Sequence, residues 1–368
     1  MSDLLRKTMK KPKQRDPVAE LSVVSEDGYS EPSLNELIQQ EQANELLEPL
    51  PSDETILESY QAFIHQVFPI IEDYVNEVNS ISFKTYFKPP KSGPILIFIH
   101  GAGSSAMTFG KLSAELINLD DSLGIFTYNL RGHGNSSNNT LDYSLNSFVD
   151  DFEFVLNQLI TTHNISNSIY LIGHSLGGAI LSKFIQSKSN DEIATLKING
   201  IVMLDIVEET AILALNSMPL FISKRPKKFS SLNDAIAWHM GFLLNNEDSA
   251  KISVPDLFKR DLTWKMDLEL TQPFWNTWFV DLSKNFLSFP NSKLLILSTH
   301  ETLDKELIIG QMQGKYQLVV FNNFSKAGHF IQEDLPSKLC LCLLDFIKRN
   351  ELKQELGVIP TWGTKVNK

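Results

Sequence analysis

A doubly wound, mostly parallel α/β sheet carrying a helical cap insertion is the fold that this sequence predicts. Three observations point to it. The apolar runs 94–99 and 168–172 have the make-up of strands buried on both faces. Strand-like and helix-like segments alternate, as crossover connections between parallel strands require. The stretch Gly173-His174-Ser175-Leu176-Gly177 joins one such strand to a helical run containing Ala179, Ile180, Leu181, Phe184 and Ile185. G-x-S-x-G in that setting marks a tight strand-to-helix turn that lifts a serine hydroxyl clear of the sheet.

Composition narrows the class. The chain has 368 residues, of which 42% are hydrophobic, enough for one large α/β domain plus a tail or for two small domains. The net charge of −11 argues against general nucleic-acid binding. No apolar run approaches the ~20 residues of a membrane span, and no secretory signal is visible. Cys340 and Cys342 lie two apart in a predicted helix and point to different sides, so no disulfide between them is expected. A reducing compartment, cytosol or nucleus, fits.

In chain order, residues 1–15 are basic, with Arg6, Lys7, Lys10, Lys11, Lys13 and Arg15 against Asp3. Residues 16–83 then hold fifteen acidic side chains and no Lys or Arg. Residues 1–55 are expected to be a disordered tail, basic then acidic, because they lack a sustained apolar period. Residues 56–75 have helical spacing and are expected to pack onto a domain spanning 56–352. Strands follow at 81–87, 94–99, 124–129, 168–172 and 200–204, with an amphipathic helix at 148–159. Residues 206–290 are rich in aromatics at helical periods, including Trp238, Trp264, Trp275 and Trp278, and read as a cap over the sheet. Strands resume at 293–297 and 317–321, a helix closes the domain at 335–348, and a loose tail is expected from 353.

Ser175 is the candidate nucleophile. A serine hydroxyl needs an adjacent base, and a histidine steadied by an acid is the usual one. In a strand–turn–helix site of this kind the acid and then the histidine follow the serine in the chain. His329, in Ala327-Gly328-His329-Phe330, follows the last strand and is the candidate base. Asp205 and Asp304 both sit at C-terminal strand ends, and on these grounds alone either serves as the acid. The oxyanion is expected to meet the backbone N–H of Leu176 and that of Ala102, in the loop His100-Gly101-Ala102-Gly103. Arg131-Gly132-His133-Gly134 reads as structural. No His/Cys cluster has metal-ligand spacing, and no cofactor is expected.

With these residues in view, the chain resembles the protein phosphatase methylesterases over about residues 95–349. The matching stretches are 100–105, 171–179, Met203-Leu204-Asp205-Ile206-Val207-Glu208, 215–218, Arg225-Pro226-Lys227-Lys228-Phe229, and Gly310-Gln311-Met312-Gln313-Gly314-Lys315, with His329 last. The Asp-Ile-Val-Glu and Gly-Gln-Met-Gln-Gly-Lys stretches carry most of the specificity. The resemblance implies an α/β-hydrolase that removes the methyl ester from the C-terminal leucine of the protein phosphatase 2A catalytic subunit, its partner. It also implies that the acid is Asp205 rather than Asp304. A long acidic insert that some members carry in the cap has no counterpart around 251–264. Met312 is a candidate partner-binding residue, an adaptable apolar side chain on the connection between the last two strands; an ordinary core methionine is the alternative. The competing functional readings are a small-molecule esterase and a phosphatase-sequestering protein.

Overall fold

Proline and burial pattern set the first elements. The computed structural model describes residues 50–137, 141–299, 302–321 and 327–355. Helix α1 (Asp53–Val67) is capped by the Ser52 side chain, with Asp53 and Glu54 in its first turn. It starts before residue 56 and ends well before 75, which corrects the sequence expectation at both ends. Pro69 disfavours a helical conformation at Phe68, whose backbone is extended (φ −120°, ψ 91°). Strand β1 (Ile70–Asn76) follows and pairs antiparallel with β2 (Ile81–Lys88). The expected disorder of residues 1–49 lies outside the described residues.

The chain then runs through β3 (Ile95–Ile99), α2 (Gly110–Leu119), β4 (Gly124–Tyr128) and α3 (Leu145–His163). Next come β5 (Ile169–His174), α4 (Leu176–Gln186), α5 (Asn190–Thr195) and β6 (Ile198–Leu204). Between β6 and β7 lie α6 (Glu208–Leu215), α7 (Met218–Lys224), α8 (Leu232–Phe242), α9 (Glu247–Ser253), α10 (Trp275–Trp278) and α11 (Leu282–Ser288), with short 3₁₀ turns. The last elements are β7 (Ser292–Leu297), α12 (Lys305–Met312), β8 (Gln317–Val320), α13 (Ile331–Asp334) and α14 (Pro336–Glu355). Helix α14 runs to Glu355, so residues 353–355 are helical rather than loose, and the rest of the expected tail lies outside the described residues.

The strands form one eight-stranded sheet in the order β1-β2-β4-β3-β5-β6-β7-β8. Only β2 runs against its neighbours, and the other pairs are parallel. Every residue of β3, β4 and β5 is buried, which explains their largely apolar sequence. One face packs on α3, α4 and α11 through Phe148, Phe152, Phe184 and Phe286. The other packs on α1, α2 and α14 through Tyr60, Leu112, Leu116, Leu343 and Phe346. A third, smaller cluster lies in the cap, around Phe229, Leu232, Ile236, Phe258 and Trp264, and includes Ile56 of α1 and Phe330 beside the candidate base. Helix α1 is further tied to the cap by the Leu232 N–H, which donates to the Asp53 carboxylate at 2.8 Å.

Candidate active site

The C-terminal ends of the parallel strands collect the candidate groups, as open α/β sheets do. Ser175 sits between β5 and α4 with φ 53° and ψ −119°. For a residue with a Cβ this is a sparsely populated conformation, costing about 1–3 kcal/mol. The flanking glycines explain how the turn closes. A Cβ on Gly177 would lie 2.1 Å from the Ile99 carbonyl oxygen, and one on Gly173 would lie 2.4 Å from the Gly177 backbone. Neither position has room for a side chain, so the helix packs directly on the neighbouring strand.

Asp205 follows β6 and also has a positive φ of 51°. Its Oδ1 accepts the Ser298 N–H at 2.7 Å, and its Oδ2 lies 2.9 Å from Nδ1 of His329. A carboxylate there places the imidazole proton on Nδ1 and leaves Nε2 as the basic atom. Burial pushes the Asp205 carboxyl up, but the hydrogen bond and charge of His329 and the Ser298 N–H outweigh it and hold the group below its usual range. Asp304 is engaged elsewhere. It caps α12 by accepting the Leu307 N–H at 2.9 Å, and its other oxygen accepts from the Ser283 hydroxyl.

Three further residues hold this geometry, and sequence reasoning assigned none of them a part in it. His174, buried beside Ser175, lies with Nε2 2.8 Å from the His329 carbonyl oxygen, so Nε2 carries the proton. Burial, helped by the neighbouring His329 ring, pulls its pKa down to about 3 and keeps it neutral. His133 accepts the Gly103 N–H on Nε2 at 3.0 Å and donates from Nδ1 to the Arg131 carbonyl at 2.9 Å. Burial lowers it to about 4, so Nε2 stays an acceptor near neutral pH. The Gly103 and Ser104 amides are thus committed, the latter to the Gly101 carbonyl, whereas the Ala102 N–H has no acceptor among the described residues. Leu176 opens α4, where a backbone N–H has no intrahelical acceptor.

Glu333 is the third. It is buried in the wall of the cleft, and its carboxyl oxygens are hydrogen-bonded to the hydroxyls of Thr108 and Ser253, each at 2.5 Å. Burial raises its carboxyl to about 8. Its neighbour Asp334 accepts the Gly328 N–H at 2.5 Å and the Asn245 N–H at 2.6 Å, joining the His329 loop to the cap. The only sequence signal was proximity to His329. Arg131 is structural as expected: its guanidinium grips Asp151 of α3 at 2.5 and 2.7 Å.

Ser175, His329 and Ala102 line one cleft of about 340 Å³ roofed by the cap. Its walls are mainly apolar, with Leu215, Met218, Phe221, Trp238 and Leu268 prominent, and Lys224, Arg225 and Glu333 are its charge-bearing side chains. Among the described residues no group of three or more His, Cys, Asp or Glu is placed to hold a metal ion. Met312 is 84% exposed, so it is not a core residue. It does not line the cleft. Helix α12 starts at the C-terminal edge of the sheet and runs back along it, so Met312 lies roughly 12 Å down the helix from that edge, by the rise per residue.

The Alpha/beta hydrolase family model matches residues 96–340. Among solved structures, E-2-(acetamidomethylene)succinate hydrolase shares the fold with a TM-score of 0.61 at 19% identity, over 76% of this chain and 100% of that one. A protein phosphatase methylesterase 1 of Candida albicans is 49% identical over 375 residues, covering 100% of both chains. Its namesake in Debaryomyces hansenii is 44% identical over 392 residues, again covering 100% of both. The chain is therefore an α/β-hydrolase enzyme of the carboxylesterase type and belongs to the protein phosphatase methylesterase family.

Proposed function

We propose that the chain hydrolyses the methyl ester on the C-terminal leucine of the protein phosphatase 2A catalytic subunit by a Ser-His-Asp mechanism. The observation that carries this is the 2.9 Å contact between Asp205 and His329, with Ser175 in the same cleft. His329 Nε2 takes the proton as Ser175 Oγ attacks the ester carbonyl carbon. Asp205 holds the ring and steadies the imidazolium. The N–H groups of Leu176 and Ala102 receive the oxyanion. Collapse expels methanol, which takes its proton from His329. Water, deprotonated by the same nitrogen, then frees the leucine carboxylate and restores Ser175.

The apolar cleft suits a leucine side chain and a neutral ester. Leu220 and Phe242 line it while remaining 56% and 49% exposed, which suits docking of a folded partner. Remote contacts of this kind would orient the ester. Met312, beside exposed Ile308 and Ile309, is a more distant contact of the same partner. The test is incubation with methyl-esterified phosphatase. Wild type should release methanol, and Ser175→Ala should lose roughly three or more powers of ten in rate while still binding. Rapid turnover of small activated esters with an untouched phosphatase would overturn the reading.

A further inference from the structure

Among the described residues Arg225 is a cation without an ion-pair partner, in a mainly apolar wall. It caps the C-terminus of α7, and its guanidinium lies 3.8 Å from the centre of the Trp264 ring. The platform is built rather than incidental. Trp264 Nε1 donates to the Pro226 carbonyl at 2.6 Å, and the ring packs against Trp238 and Phe258. Arg225 Nη2 donates to the Met266 carbonyl at 3.0 Å. No carboxylate among the described residues stands within ion-pair distance of it; Asp267 and Glu269 act on it only at longer range. The Asp267 carboxylate is itself turned to the Glu269 N–H at 3.0 Å. Burial costs this cation enough to pull its pKa down to about 10. A guanidinium held in place, with donors to spare, is a fork shaped for a carboxylate. Lys224 lines the same cleft and adds a second positive charge. Glu333 opposes an anion little near neutral pH, since burial keeps its proton on to about 8.

We infer that Arg225, assisted by Lys224, is an anion subsite of the cleft that takes an acidic side chain of the peptide carrying the ester. The inference rests on the methylesterase reading and adds a sequence preference to it. The remaining wall would receive apolar neighbours of that acid.

The test measures binding and turnover separately. Peptides ending in leucine methyl ester carry one glutamate, walked through the upstream positions, or glutamine at the same place. Their affinity for the full-length Ser175→Ala protein is measured by fluorescence anisotropy. At one position glutamate should bind roughly tenfold tighter than glutamine, the scale of a charge-assisted hydrogen bond. Adding Arg225→Gln should erase that ratio. Should that variant melt early, Arg225→Met, which keeps an unbranched stem against Trp264, makes the same comparison. Equal binding of the glutamate and glutamine peptides at every position, or a ratio that survives loss of Arg225 in a folded variant, would overturn the subsite. Methanol release from the same peptides by wild type reports on the parent reading alone. Acid preference without hydrolysis would sink the esterase assignment and keep the subsite; hydrolysis without acid preference would do the reverse.

Discussion

The sheet edge and the cap meet at one cleft but are built to different standards. On the sheet side, β3, β5 and β6 are locked by parallel ladders on both flanks, and each delivers one group just past its last residue: Ala102, Ser175 and Asp205. Two of these, Ser175 and Asp205, stand at positive φ, a strain that only a rigid surround sustains. The cap is made of short helices, and α7 has no buried residue at all. Its order comes from an aromatic cluster around Trp264 and from tethers at Asn245, Ser249 and Ser253 to the turn after His329. The contrast is physical: bond making needs atoms held to fractions of an ångström, whereas recognition tolerates a softer wall. Changes on the sheet side should therefore act on kcat, and changes on the cap side on KM and partner choice.

The two strand-end carboxylates give the largest expected effect. Asp205→Asn should lower kcat by about ten-thousandfold, because the imidazole loses its fixed tautomer. Asp304→Ala should spare most activity and cost about 1 kcal/mol of stability, through loss of the α12 cap. The reverse pattern, measured as ester turnover and thermal melting on the same preparations, would move the acid to Asp304.

A smaller effect is expected from the oxyanion loop. His133→Leu strands the Gly103 N–H and frees its neighbour Ala102 to drift. It should lower kcat by on the order of tenfold to a hundredfold with KM little moved. An unchanged kcat in a folded variant would show that the loop needs no such anchor.

Glu333 tests the seam between the two regions through pH. Burial holds its carboxyl near 8 in the fold, against 4.5 for an ordinary glutamate. Between those values the folded state binds more protons than the unfolded one, so stability falls as pH rises. The contribution is fully present below about 4.5 and gone above about 8. Glu333→Gln removes that slope. Its melting temperature relative to wild type should therefore climb across this window, and a flat difference curve would mean the carboxyl is ionised throughout.

The mildest change should be removal of residues 1–49, with turnover and melting temperature unaltered. Extending the deletion through residue 53 removes the Asp53 carboxylate from the Leu232 N–H and should lower the melting temperature by a few degrees. A large loss from the shorter deletion would make the tail part of the fold.

Much of this was legible in the chain. Buried parallel strands read as unbroken apolar runs, and the glycines around Ser175 marked a turn with no room for side chains, so local composition located β3, β5 and the nucleophile turn. Strand β1 was not legible. It is an edge strand with mixed burial, and it takes its conformation from pairing with β2 rather than from its own pattern. Asp205 and Asp304 were equivalent by position, and only the resemblance of the surrounding residues favoured one. In three dimensions one carboxylate meets His329 and the other closes a helix. The roles of His133, His174 and Glu333 depend on partners 30, 155 and 225 residues away in the chain. Sequence by itself determined where the buried parallel strands run and where a serine must stand, because sterics and burial act locally. Tertiary structure alone decided which buried polar group satisfies which, because such groups are costly unless paired, and their partners come from distant parts of the chain.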